Sequence, residues 1–174
     1  LIHWPNPDVA LEESIDALAS TVDDGLTKHI GVANFTSTLL DEAAAMSDHP
    51  LVCNQVEYHP FLPQAQVLAA CRRHDMGLIA YSPIGRGGEV LNHPVIRSAA
   101  ERHGKSPAQI VLRWEIEQDG VGAIPRTSKP ERVAENLEIF DFELYEDERA
   151  AITALTRRNE RLVDPSFAPN WDRT

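Results

Sequence analysis

Several common signatures are missing from this chain. Only two cysteines occur in 174 residues, Cys53 and Cys71, with no Cys-x-x-Cys spacing. That is too few for a disulfide framework and fits a reducing cytoplasm. No apolar run approaches the length needed to cross a bilayer, so no membrane partner is expected. Positive charge is scarce: 16 Lys and Arg against 27 Asp and Glu give a net charge of −11. Nucleic acid is therefore a poor partner, because its phosphates need a broad basic face. No Gly-x-Gly-x-x-Gly follows an apolar segment, which removes support for a Rossmann-type dinucleotide site. Glu57 and His59 are only two candidate ligands on one strand, so no metal is expected. No internal repeat or low-complexity tract is visible.

What is present reads as a single domain over residues 1–174, with 43% hydrophobic and 25% charged residues, enough to bury a core. Leu1 to Trp4 looks like the end of a buried strand. Leu11, Ile15, Leu18, Val22 and Leu26 recur at intervals of three and four, predicting a helix within Asp8 to Leu26. Apolar strands are expected at Ile30 to Phe35, Leu51 to Tyr58, Met76 to Tyr81 and Val121 to Ile124. Helices are expected between them, at Thr38 to Met46 and Gln66 to His74 and in two segments after the loop Ser82 to Gly88. Ser106, Pro107 and Gln109 spell a capping box that opens the second of those segments. Two further helices close the pattern, Glu131 to Glu138 and Glu146 to Leu155. Short apolar strands separated by helices are βα units around a parallel sheet. Five strands make a little over half of a (β/α)8 TIM barrel; a doubly wound sheet shares the pattern.

Where the last strand ends, Arg126, Lys129 and Arg132 surround Pro130 at the expected first position of a helix. Unpaired N–H groups at a helix start favour an anion, and arginines add bidentate donors for phosphate. In a barrel enzyme the chemistry lies at the carboxyl ends of the strands. Those ends carry His3 and Trp4, then Asn34, then Asn54, Gln55, Glu57, Tyr58 and His59. Tyr81 and Ser82 follow, and finally the basic cluster.

Taken in order, Leu1-Ile2-His3-Trp4-Pro5, Gly31-Val32-Ala33-Asn34-Phe35, Asn54-Gln55-Val56-Glu57, Ala80-Tyr81-Ser82-Pro83-Ile84-Gly85 and Ile124 through Asn136 resemble the aldo-keto reductases. The tail Asn159 to Pro165 and Ala168 to Asp172 is similar to the bacterial 2,5-diketo-D-gluconate reductases of that family, which also reduce methylglyoxal. The resemblance implies barrel strands four to eight and NADPH-dependent reduction of a ketone or aldehyde. His3 would orient and polarise the substrate carbonyl, and Trp4 and Trp171 would wall its pocket. Asn34 and Gln55 would hold the nicotinamide carboxamide and Tyr81 would stack on the ring. Ser82, Ile84 and Arg86 would lie along the pyrophosphate. Arg126, Thr127 and Arg132 would take the 2′-phosphate, with Glu135 and Asn136 on the adenine.

This chain has Ala33 where the family usually has serine and Arg126 where lysine is common. No residue here matches the family's catalytic tyrosine, lysine and aspartate, which precede its fourth strand. The expectation is therefore a C-terminal part of a reductase, inactive by itself. An NADPH-binding regulatory module is the alternative from another class, and a phosphosugar isomerase or aldolase a third.

Overall fold

The computed structural model describes residues 1–172. Its elements are α1 (Leu11–Asp23), β1 (Ile30–Ala33), α2 (Ser37–Met46), β2 (Leu51–Glu57), α3 (Ala65–Arg73), β3 (Gly77–Tyr81) and α4 (Gly88–Asn92). They continue with α5 (Pro94–His103), α6 (Pro107–Ile116), β4 (Val121–Ala123), α7 (Pro130–Leu137), α8 (Glu146–Ala154) and a 3-10 turn, Leu155–Arg158. The four strands form a parallel sheet in the order β1-β2-β3-β4. Sequential neighbours joined through helices are the arrangement of a partial (β/α)8 barrel.

Local chemistry explains where the elements depart from their expected limits. The opening strand shrinks to one parallel bridge, Ile2 to Val32, because Pro5 and Pro7 have no N–H to continue a ladder. Asn6 then holds a turn, its Oδ1 accepting from Asp8 N at 3.0 Å, and α1 starts only at Leu11. β1 stops at Ala33 because Asn34 turns into the left-handed region, φ +61°. The loop after Tyr81, expected to be irregular to its end, gives way at Gly88 to the short α4. The Ser106 capping box forms as predicted: Ser106 Oγ accepts from Gln109 N at 3.3 Å and Gln109 Oε1 from Ser106 N at 2.9 Å.

The chain divides into two compact units, residues 1–56 with 64–79 and the tail from 163, and residues 57–63 with 80–162. In the first, Ile15, Val32, Phe35, Leu40, Ala43, Cys71 and Leu78 are fully buried. β1 and β2 run so close that a Cβ on Gly31 would stand 2.7 Å from the Cys53 carbonyl oxygen. The core of the second unit is built on α6, with Ile110, Leu112 and Trp114 against Ile96 and Ile152.

Asn54, a strand-end candidate by sequence, does structural work. Its side-chain amide imitates a peptide group, donating to Phe35 O at 2.9 Å and accepting from Phe35 N at 3.4 Å. Both backbone groups belong to the buried turn between β1 and α2, out of reach of water. Asn54→Ala strands both, so we expect about 3 kcal/mol of lost stability and a melting temperature lower by roughly 6–12 °C. A melt within error of wild type would contradict this reading.

Glu115 on α6 is fully buried, and neither carboxylate oxygen has a hydrogen-bond partner. Burial alone pushes its pKa well above the ordinary value of 4.5, so the folded chain holds it neutral. Between that ordinary value and the raised one, the unfolded chain releases the proton while the folded chain keeps it. Stability from this group is thus greatest at acid pH and declines as pH climbs through the window. Glu115→Met should flatten that decline and raise stability at neutral pH by about 1–2 kcal/mol. Denaturant melts of both proteins across pH test it; parallel curves would contradict it.

Candidate active site

In the first unit, three of the expected residues meet at the strand ends. Asn34 Nδ2 donates to the His3 carbonyl at 2.9 Å, and Asn34 N donates to the Gln55 carbonyl at 2.9 Å. The left-handed turn at Asn34 makes the first bond possible, since it swings the amide back over the bridge at Ile2. Asparagine tolerates that conformation better than most residues. His3 itself is exposed, with its ring centroid 6.2 Å from that of Trp4. The tail supplies Trp171 and Phe167, both edge-on to Trp4 at centroid distances of 6.0 and 5.6 Å.

In the second unit, Tyr81 ends β3 and opens an unusual loop. Ser82, Gly85, Arg86, Gly87 and Gly88 all have positive φ, a backbone of the kind that can turn successive N–H groups inward around an anion. Gly85 is also required sterically, since a Cβ there would meet Val90 Cγ2 at 2.4 Å. Tyr81 stays protonated: burial first, and the Glu57 charge second, push its pKa up to about 12. Glu57 is itself buried, accepting from Leu162 N at 2.7 Å and from His59 Nε2 at 2.9 Å. Phe61 N donates to His59 Nδ1 at 3.2 Å, which leaves the proton on Nε2. This pair braces the loop after β2.

The basic cluster lies at the start of α7. Arg126, Lys129 and Arg132 are exposed, and among the described residues no carboxylate forms an ion pair with any of them. Thr127 Oγ1 accepts from Lys129 N at 3.1 Å and shapes the approach to Pro130. α7 buries none of its own residues, so its position depends on polar tethers. Gln109 Nε2 donates to the carbonyls of Glu135 and Glu138 at 2.9 and 3.2 Å, and Lys105 Nζ to that of Glu138 at 3.1 Å. Sequence reasoning missed these tethers, although the capping box had singled out Gln109. Thr127 and Asn136 border one hollow of about 230 Å³ walled by Val133 and Leu137; Glu135 is half-buried but does not line it.

Other groups suited to acid–base work have committed partners. Asp41 sits 2.7 Å from His74 and 2.9 Å from Arg73, which hold its carboxyl below the usual range. Tyr58 donates to Gln118 Oε1 at 2.6 Å, and Lys105 to both oxygens of Asp141 at 2.8 Å.

Comparison with known proteins agrees with this layout. The sequence profile of the Aldo/keto reductase family matches residues 1–157. An aldo-keto reductase of Mycobacterium avium (strain 104) is 39% identical over 95% of this chain and 57% of its own length. Methylglyoxal reductase DkgB of Escherichia coli O157:H7 is 36% identical over 99% of this chain and 65% of its own. A crystal structure provisionally named 2,5-diketo-D-gluconic acid reductase B superposes with TM-score 0.95 and 43% identity, covering 98% of this chain and 61% of that one. The chain thus spans about three-fifths of the length of the relatives it matches.

These matches correct two expectations. The likeness takes in 98% of the chain and the family profile matches residues 1–157, so the expectation of a C-terminal part alone is not carried forward. The expected inactivity, drawn from the lack of a match to the family's catalytic tyrosine, lysine and aspartate, is withdrawn with it. With the parallel sheet in place and the family profile matching most of its length, the chain belongs to the aldo-keto reductase family.

Proposed function

We propose that residues 1–174 form one domain of an NADPH-dependent reductase of small ketones and aldehydes, dicarbonyls such as methylglyoxal or 2,5-diketo-D-gluconate among them. The observation that carries this reading is the junction of His3, Asn34 and Gln55, where one hydrogen-bonded turn sets an exposed imidazole beside Trp4. The names of two relatives, a methylglyoxal reductase and a diketogluconate reductase, support the substrate class.

The residues fit the cofactor's chemistry. Three cations at a helix start, without carboxylate partners among the described residues, suit a 2′-phosphate, and side-chain amides suit a carboxamide. When bound, the nicotinamide supplies the hydride that reduces the carbonyl carbon. Arg126, Thr127 and Arg132 would hold the 2′-phosphate, and Glu135 and Asn136 the adenine. Ser82, Ile84 and Arg86 would serve the pyrophosphate. Asn34 and Gln55 would hold the carboxamide, and Tyr81, held neutral, would offer an uncharged face for stacking. His3 donates an N–H to the carbonyl oxygen, and Trp4 and Trp171 exclude water from it. The Ala33 position lacks one hydroxyl contact to the carboxamide, worth about 1 kcal/mol.

No helix among the described residues is long and apolar enough to cross a membrane. The two free, buried cysteines fit a reducing compartment, and a cytoplasmic location goes with the proposal. The test is loss of nicotinamide absorbance when methylglyoxal is added to protein and NADPH. Tight NADPH binding with no oxidation by any dicarbonyl would favour a regulatory module instead.

A further inference from the structure

The tail from Asp164 to Asp172 returns to the first unit and is fixed there by polar contacts. Asp172 Oδ2 accepts from Ser37 N at 2.9 Å, and Asp172 Oδ1 accepts from Ser37 Oγ at 2.6 Å. Ser37 is the first residue of α2. Thr36 already serves Leu39 N as N-cap, so Ser37 N is a second orphan donor at a helix end that favours negative charge. A carboxylate taking an N–H and a hydroxyl at once is a strong, directional pair. Further back, Trp171 Nε1 donates to Asp164 Oδ1 at 2.8 Å and Ala168 N to Pro165 O at 2.9 Å, which folds the tail on itself.

Packing contributes little between those points. Residues 166–170 roof a hollow of about 420 Å³ over Ile2, Val9, Leu11, Phe35 and Leu39. A segment that spans a void loses the dispersion contacts that would otherwise fix it. Phe167 is 52% exposed, yet it and Trp171 both stand edge-on to Trp4. The clasp at Asp172 is thus, with the Trp171–Asp164 bond, one of the polar contacts that fix where the two rings lie.

We propose that Asp172 is a positioning residue: through its clasp on Ser37 it holds Trp171 and Phe167 against Trp4 and so sets the size of carbonyl substrate admitted beside His3. The gating role rests on the functional reading above; the clasp does not. An ordinary helix cap would stabilise α2 and leave substrate preference untouched.

Three variants separate these cases: Asp172→Ala, Asp172→Asn, which keeps one acceptor oxygen in place of two, and Ser37→Thr, which keeps both donors. Acrylamide quenching of tryptophan emission, with no cofactor present, reports the tail, because Trp114 is buried and contributes a constant background. Asp172→Ala should raise the quenching constant roughly twofold. Its KM for a bulky keto-sugar acid should shift by roughly tenfold, the scale of one lost charge-assisted hydrogen bond, with kcat within about twofold and methylglyoxal little affected. Asp172→Asn should fall between, and Ser37→Thr should match wild type. Quenching unchanged in Asp172→Ala would overturn the clasp. Equal kinetic losses on both substrates, tracking a lower melting temperature, would overturn the gating. A wild type that turns over neither substrate overturns the functional reading and the gating together, and quenching then decides the clasp alone.

Discussion

Replacing Arg126 and Arg132 together by alanine is expected to weaken NADPH binding by about thirtyfold while NADH binding stays within about threefold. Both side chains are exposed and form no ion pair with a carboxylate among the described residues, so neither substitution leaves a buried charge behind. Folding should be nearly untouched, and the loss should appear in the cofactor alone. Two solvent-screened contacts to phosphate at about 1 kcal/mol each give that factor, at the low end of charged hydrogen bonds because of the exposure. Added salt should narrow the gap between wild type and variant, since exposed charges are screened within about 8 Å at physiological strength. Arg126→Lys should retain most of the affinity. Calorimetric titration of both cofactors measures all of this; equal weakening of NADPH and NADH would remove the 2′-phosphate from this site.

Replacing His3 by alanine should have the larger effect on turnover. The ring is exposed, and the position of its backbone is secured by Asn34 and by the bridge at Ile2. The substitution therefore deletes an N–H donor without releasing the turn. A positioned donor to a developing oxyanion contributes roughly 10²–10³ in kcat, so kcat/KM should fall by about that factor. The NADPH dissociation constant should stay within about twofold. A large change in cofactor affinity with intact kcat would place His3 on the cofactor instead of the substrate.

Elements with local causes were legible in the sequence, and residues defined by distant partners were not. The βα alternation, the Ser106 capping box and the Pro130 helix start each arise from a few adjacent residues, and the structure has them within one to three residues of the expected limits. The extended opening strand failed because the effect of Pro5 and Pro7 depends on which neighbour the strand pairs with. Asn54 stands among the polar strand-end residues in the sequence, and only the structure shows that its partner is the backbone of Phe35 across a strand pair. Glu115 gave no signal, since a polar residue on an amphipathic helix normally faces water and only packing reveals that this one does not. The Asp172–Ser37 clasp joins residues 135 positions apart, beyond any local rule.

Hydride transfer from the nicotinamide to a carbonyl carbon is tested most directly by isotope. The protein is incubated with NADPH deuterated at the transferring C4 position and methylglyoxal, and the product is analysed by mass spectrometry. An alcohol carrying one deuterium on the new carbinol carbon is the expected result. An alcohol without deuterium, or no alcohol at all with cofactor bound, would contradict the assignment of this chain as a carbonyl reductase.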